Sequence, residues 1–233
     1  MKKNNLLTKG CLGLIITFML VQVNKTSAQE TIEVSVGGDL VSSYIWRGQN
    51  CAGVSIQPGI SLSLKGFSLT AWGSVGFDNH DTKEFDFTLG YSTGGFSLAL
   101  TDYWFDTHRY FDYAAHTTAH MFEITAGYDF GPVALLWNTY FAGGDYTKED
   151  GDRGYSTYIE ASAPFSLAGI DFNAQVGCTP WEGLYSDKFN VVNIGLRAGK
   201  SIKVTDTFSL PVFAKMTFNP YTDNAYFVFG VSL

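Results

Sequence analysis

Charge is scarce in this chain. Only 16% of its 233 residues are Asp, Glu, Lys or Arg, against roughly 25% in an ordinary soluble domain. Cations are scarcer still. Fifteen Lys and Arg face 22 Asp and Glu, for a net charge of -7, which excludes a nucleic-acid partner in need of a basic surface. Three cysteines, Cys11, Cys51 and Cys178, are too few for a disulfide framework. Beyond residue 28 no apolar run approaches the roughly 18 residues that mark a helical membrane span. What is abundant is aromatic, with 19 Phe, 13 Tyr and 5 Trp, beside 25 Gly. That content excludes disorder, yet the low charge does not suit a surface bathed in water.

The first residues are an address. Lys2 and Lys3 precede an apolar stretch from Leu12 to Val23, and Thr26, Ser27 and Ala28 supply small residues beyond it. This is the order of a secretory signal peptide over 1–28, cleaved after Ala28. A transmembrane anchor would need about 20 apolar residues. Lipidation at Cys11 is disfavoured, because Lys9 and Gly10 precede it and the apolar core follows it. The remaining domain, 29–233, carries eleven of the 15 cations and all 22 acids. Its Cys51 and Cys178 are expected far apart as free thiols.

Period-two alternation fills that domain. Val54, Ile56, Ile60, Leu62 and Leu64 interleave with Ser55, Gln57, Gly59, Ser61 and Ser63, and Phe67, Leu69, Ala71 and Val75 with Ser68, Thr70 and Ser74. The rhythm persists in Phe85–Tyr91, Phe96–Leu100, Phe122–Tyr128, Val133–Phe141, Tyr155–Ala163 and Ile170–Val176. It resumes in Phe189–Ala198, Phe208–Phe218 and Tyr226–Leu233. With a first strand over Ile32–Arg47 the count is twelve, each near the roughly 9–11 residues that a tilted strand needs to cross a bilayer. Connections alternate between short turns (Lys65-Gly66, Thr93–Gly95, Gly131-Pro132, Pro164–Gly169) and longer polar loops (Phe77–Glu84, Asp106–Thr118, Gly143–Gly154, Thr179–Lys188).

A soluble β-sandwich or lipocalin also alternates, but its second face carries many charges. Here the second face is Ser, Thr, Gly, Asn and Gln, suiting lipid outside and a wet lumen inside. The expectation is an all-β fold, a transmembrane antiparallel up-and-down barrel of about twelve strands, with both ends of the chain on the short-turn side. Aromatics near the strand ends are expected as girdles: Tyr44, Trp46, Tyr103–Phe105, Tyr140 and Phe141 on the loop side, and Phe67, Tyr91, Phe96, Phe130 and Phe165 on the turn side. Three places break the pattern. Asp102 falls on apolar parity, Val191-Val192 slip by one, and Pro58 interrupts a sheet without edges; each is expected at a bulge or rim.

The run Ser42-Ser43-Tyr44-Ile45-Trp46-Arg47-Gly48-Gln49 resembles the start of the TorF-type porins of Gram-negative envelopes. Pro58 in the next strand, Asp78-Asn79, Glu84-Phe85-Asp86 and Gly90-Tyr91 also match their pattern, chiefly over 36–105. The resemblance implies an outer-membrane barrel with a transport role and fixes no solute. The partners expected are outer-membrane lipids, small polar solutes and the barrel-assembly machinery, after export through the periplasm.

Inward parity collects Glu33, Asp39, Arg47, Asp86, Glu123, Glu160, Asp171, Asn173, Gln175, Arg197 and Lys215. They can line a narrow channel favouring cationic or neutral polar solutes, or pair across the lumen as a solid plug. The few cations disfavour an acidic-sugar solute. His80, His108, His116 and His120 fall in or beside two loops; with Asp106 and Asp112 the last three offer metal-ligand chemistry, though no metal or other cofactor is expected. A membrane hydrolase would need a Ser-His pair on the lipid-facing parity, and none is found, so no catalytic residue is assigned. An adhesive barrel is the remaining alternative, with Tyr146, Trp181 and Tyr185 in loops able to meet a partner. Asp106–Thr118 and Gly143–Gly154 are expected to narrow the entrance.

Overall fold

The computed structural model describes residues 31–114 and 117–233, so the signal segment expected at 1–28 lies outside the described residues. Alternating side chains dictate strands, and the strands are β1 (Glu33–Val41), β2 (Tyr44–Trp46), β3 (Gln49–Ala52), β4 (Ser55–Leu64), β5 (Phe67–Gly76), β6 (Glu84–Thr93) and β7 (Phe96–Phe105). They continue as β8 (His120–Asp129), β9 (Ala134–Gly143), β10 (Thr157–Leu167), β11 (Ile170–Thr179), β12 (Asn190–Lys203), β13 (Ser209–Asn219) and β14 (Asn224–Ser232). Twelve of them close into an antiparallel barrel in chain order, with β1 joining β4 on one side and β14 on the other. This is the architecture of outer-membrane barrels. Wall strands are 9 to 14 residues long. Antiparallel neighbours need only tight turns, and Lys65-Gly66 and Ala168-Gly169, with all four φ angles positive, supply the left-handed pairs that match strand twist.

The apolar parity faces outward. Leu89, 54% exposed, Phe67, Leu69, Leu98, Leu135 and Phe227 all stand out from the wall. The opposite parity points into the lumen, where hydroxyls and amides meet across strands: Ser61 with Thr70 at 2.9 Å, Thr88 with Thr101 at 3.0 Å, and Thr125 donating to Asn138 Oδ1 at 2.9 Å. The buried apolar cluster therefore lies inside the barrel, made of Tyr103, Met121, Tyr140, Tyr158, Tyr185 and Val192.

Four features depart from the expectations. The first strand does not run to Arg47. It ends at Val41, and β2 and β3 pair only with each other. Most of the loop-side aromatics point inward: Tyr44, Trp46, Tyr103 and Tyr140 furnish the lumen, while Phe141 and the turn-side Phe67, Phe96, Phe130 and Phe165 remain on the outer wall. Pro58 needs no bulge. Gly38 exchanges both backbone bonds with Leu233, so its pair with Pro58 is a non-hydrogen-bonded one and the N–H edge of Pro58 faces β5. The β4–β5 register holds on either side, with bridges absent only at Gln57 and Pro58. Last, the wall bulges at Phe141, skipped between Phe122↔Ala142 and Glu123↔Tyr140. The expected slip at Val191-Val192 is found: Gly177 pairs with Asn193 and Cys178 with Val191, which leaves Val192 as the extra residue. Cys51 and Cys178 are free thiols.

Candidate functional site in the lumen

Between β1 and β4 the chain makes a hairpin whose two-residue turn is Arg47-Gly48. Both residues are left-handed, at φ 49° and 80°. For glycine this is free; for Arg47 it costs on the order of 1 kcal/mol, and what keeps it there is the position of its side chain. A Cβ on Gly48 would collide with the Val192 carbonyl oxygen, so only glycine lets the turn approach β12. The Gly48 carbonyl accepts from Asn219 Nδ2 of β13 at 3.1 Å.

The hairpin touches the wall on many sides. Tyr44 meets Trp72 of β5 edge-on at 5.7 Å, and Trp46 meets Tyr103 of β7 at 5.7 Å. Arg47 reaches β8, where its guanidinium grips both oxygens of Glu123 at 2.6 and 2.8 Å. The same group lies 4.2 Å from the ring centre of Trp46 and 4.9 Å from that of Tyr158. It also donates to Tyr185 Oη at 2.6 Å. Glu123, 1% exposed, accepts a further bond from Tyr103 Oη at 3.0 Å. Burial opposes the Arg47 charge, but the Glu123 carboxylate, together with Tyr185 and Tyr103, outweighs it and holds the guanidinium charged. Burial also pushes the Tyr185 phenol up, so Tyr185 stays a neutral partner. A bidentate pair that is hydrogen-bonded on all sides is the arrangement in which a buried ion pair is tolerated.

The inward-facing residues anticipated above are found at three levels. Glu123 and Asp86 lie on the loop-side half, facing the hairpin, and Arg47 joins them from the hairpin tip rather than from a wall strand. Glu160 stands just below, accepting from Tyr158 Oη at 2.6 Å and Gln175 Nε2 at 3.0 Å. Arg197 and Lys215 are direct cross-strand partners, with Arg197 stacked 4.2 Å from the Phe213 ring centre. Glu33 and Asp171 are exposed near the turn side, Asp171 bonded to Ser166 at 2.6 Å. Tyr185, expected on the rim or at a partner, is instead part of the lumen core; Tyr146 bonds Glu182 at 2.8 Å and Trp181 bonds the Tyr155 carbonyl at 3.1 Å.

A second cluster went unrecognised in the alternation. Asp102 does face outward, and His120, the first residue of β8, shares that parity and bonds to it. His120 Nδ1 lies 2.7 Å from Asp102 Oδ1 and Nε2 lies 2.6 Å from the Tyr110 carbonyl. Both ring nitrogens are thus engaged, and neither is left to activate a nucleophile. Tyr113 stacks on it at 4.2 Å, and Tyr110 also packs on Phe85 and Trp104. Residues 110–113 are therefore folded against the outer wall, not over the mouth as expected. In the same loop the Ala114 N–H, with Thr117 and His108, holds the Asp112 carboxyl below the usual carboxylate range. No metal-ligand group occurs among the described residues; His116 is outside them.

Compared with known proteins, the chain matches no family model and no curated protein, so the TorF-type resemblance rests on the motif residues alone.

Proposed function

We propose that the protein is an outer-membrane porin for small polar or cationic solutes whose lumen is shut at rest by the β2–β3 hairpin. The observation that carries this reading is the Arg47–Glu123 clasp, which fixes a detachable element across a lumen otherwise lined with hydroxyls, amides and an excess of acids. The hairpin belongs to no ladder of the barrel, so it can leave without breaking the wall. Passage follows release of Arg47, and the reading includes no catalytic step.

The dense aromatic core around the clasp favours one alternative, a permanently filled barrel that serves as a scaffold. Planar-bilayer recording separates the two. The wild-type protein should stay mostly closed, with brief openings, whereas Arg47→Ala should show steady, salt-dependent conductance. A folded Arg47→Ala protein that remains silent would leave the scaffold and remove the channel.

A further inference from the structure

Among the described residues, Asp86 has no counterion. It projects from β6 into the lumen between Trp72 and Tyr103, its direct neighbours on β5 and β7. Tyr44 and Trp46 of the hairpin pack on those two rings at 5.7 Å each, so four aromatic side chains gather on this side of the lumen, with buried Glu84, two residues before Asp86 on β6, bonded to Tyr44. Asp86 is only 7% exposed. Its Oδ1 is enclosed without a hydrogen-bond partner, and neither oxygen makes an ion pair or side-chain hydrogen bond among the described residues. The charges that act on it come from Glu84, Asp102 and Glu123, all carboxylates. Of these, Glu123 is paired with Arg47 and Asp102 lies against His120, while Glu84 has no cation beside it among the described residues. One row below, the Thr88 and Thr101 hydroxyls form a polar floor.

A charged carboxylate enclosed in this way costs several kcal/mol unless it takes up a proton or a cation joins it, and a cation is the partner that aromatic walls favour. Ring faces attract weakly hydrated cations in addition to the Coulomb term. We propose that Asp86 anchors a subsite for a small ammonium-type cation, a protonated primary amine, with Trp72, Tyr103, Tyr44 and Trp46 as its walls. The low exposure restricts the ligand to a compact head group. Two of the four walls belong to the hairpin, so the closed lumen is the binding form and the amine is held beneath the plug. The subsite rests on the channel reading only for how the amine arrives; binding itself requires no conduction.

Methylammonium chloride titrated at constant ionic strength into the folded full-length protein in detergent micelles tests this, with tryptophan emission as the readout. The wild type should give a saturable change, sodium chloride should give none, and Asp86→Asn should bind about tenfold more weakly. Trp72→Leu, which keeps the carboxylate, should also weaken binding, and it decides the matter if Asp86→Asn loses the electrophoretic mobility shift of a folded barrel. A non-saturating wild-type response, equal affinity after both substitutions, or equal binding of sodium would each overturn the subsite. Saturable binding in a protein that never conducts would support the subsite and overturn the channel.

Discussion

An acid on the outward face of a barrel wall is costly in lipid, and Asp102 is kept there by two neighbours from different elements. His120 supplies a hydrogen-bond partner, and Tyr110 and Tyr113 cover it. Removing one member should hurt more than removing both. His120→Ala is expected to lower stability by about 2–4 kcal/mol, while the double change Asp102→Leu and His120→Leu should stay within about 1 kcal/mol of wild type. Urea-driven unfolding in lipid vesicles, followed by tryptophan emission, measures both. Asp102's parity was legible in the sequence, since it sits two residues after Leu100. Its partner was not, because a long loop separates His120 from β7, and a histidine next to polar loop residues reads as loop. The lumen acids were likewise legible by parity, but nothing local indicates that Arg47 would choose Glu123, 76 positions away.

At the scale of elements, the hairpin was the main thing misread. Tyr44, Trp46 and their neighbours alternate well enough to pass for the end of β1. The sign against this lies in Arg47-Gly48, a left-handed turn pair followed by only four strand residues. Gly48→Ala should therefore unseat the hairpin from β12 and raise conductance, while circular dichroism of the barrel stays unchanged. The wall strands themselves were legible because an apolar outer face and a polar lumen force strict alternation. Leu89 and Thr88 test that register. Leu89→Arg should cost about 2–4 kcal/mol; Thr88→Arg, which points into the lumen, should leave folding intact and change ion preference. The turns give a stabilising counterpart. Ala168 holds a positive φ without being glycine, so Ala168→Gly should add about 0.5–1 kcal/mol, read as a higher urea midpoint.

For the whole molecule, the hairpin on the loop side and the hydroxyl lining below it make the lumen asymmetric. Ser61→Cys, introduced with Cys51 and Cys178 replaced by serine, should react with a charged thiol reagent supplied from the turn side of reconstituted vesicles. From the loop side it should react only when Arg47→Ala is also present. The barrel's size, even strand number and outward apolar face follow from counting alternations and turns; the contents of its interior depend on contacts between residues far apart in sequence, which no local pattern encodes.

The circle also has one short joint. β6 and β7 match at ten positions, whereas β1 and β14 match only at Asp39–Val41 with Gly230–Ser232, with Gly38 and Leu233 and then Ser42 and Phe229 extending the line. A ring that tears does so where fewest stitches hold it. Under load this cylinder would thus part first along the line between β1 and β14.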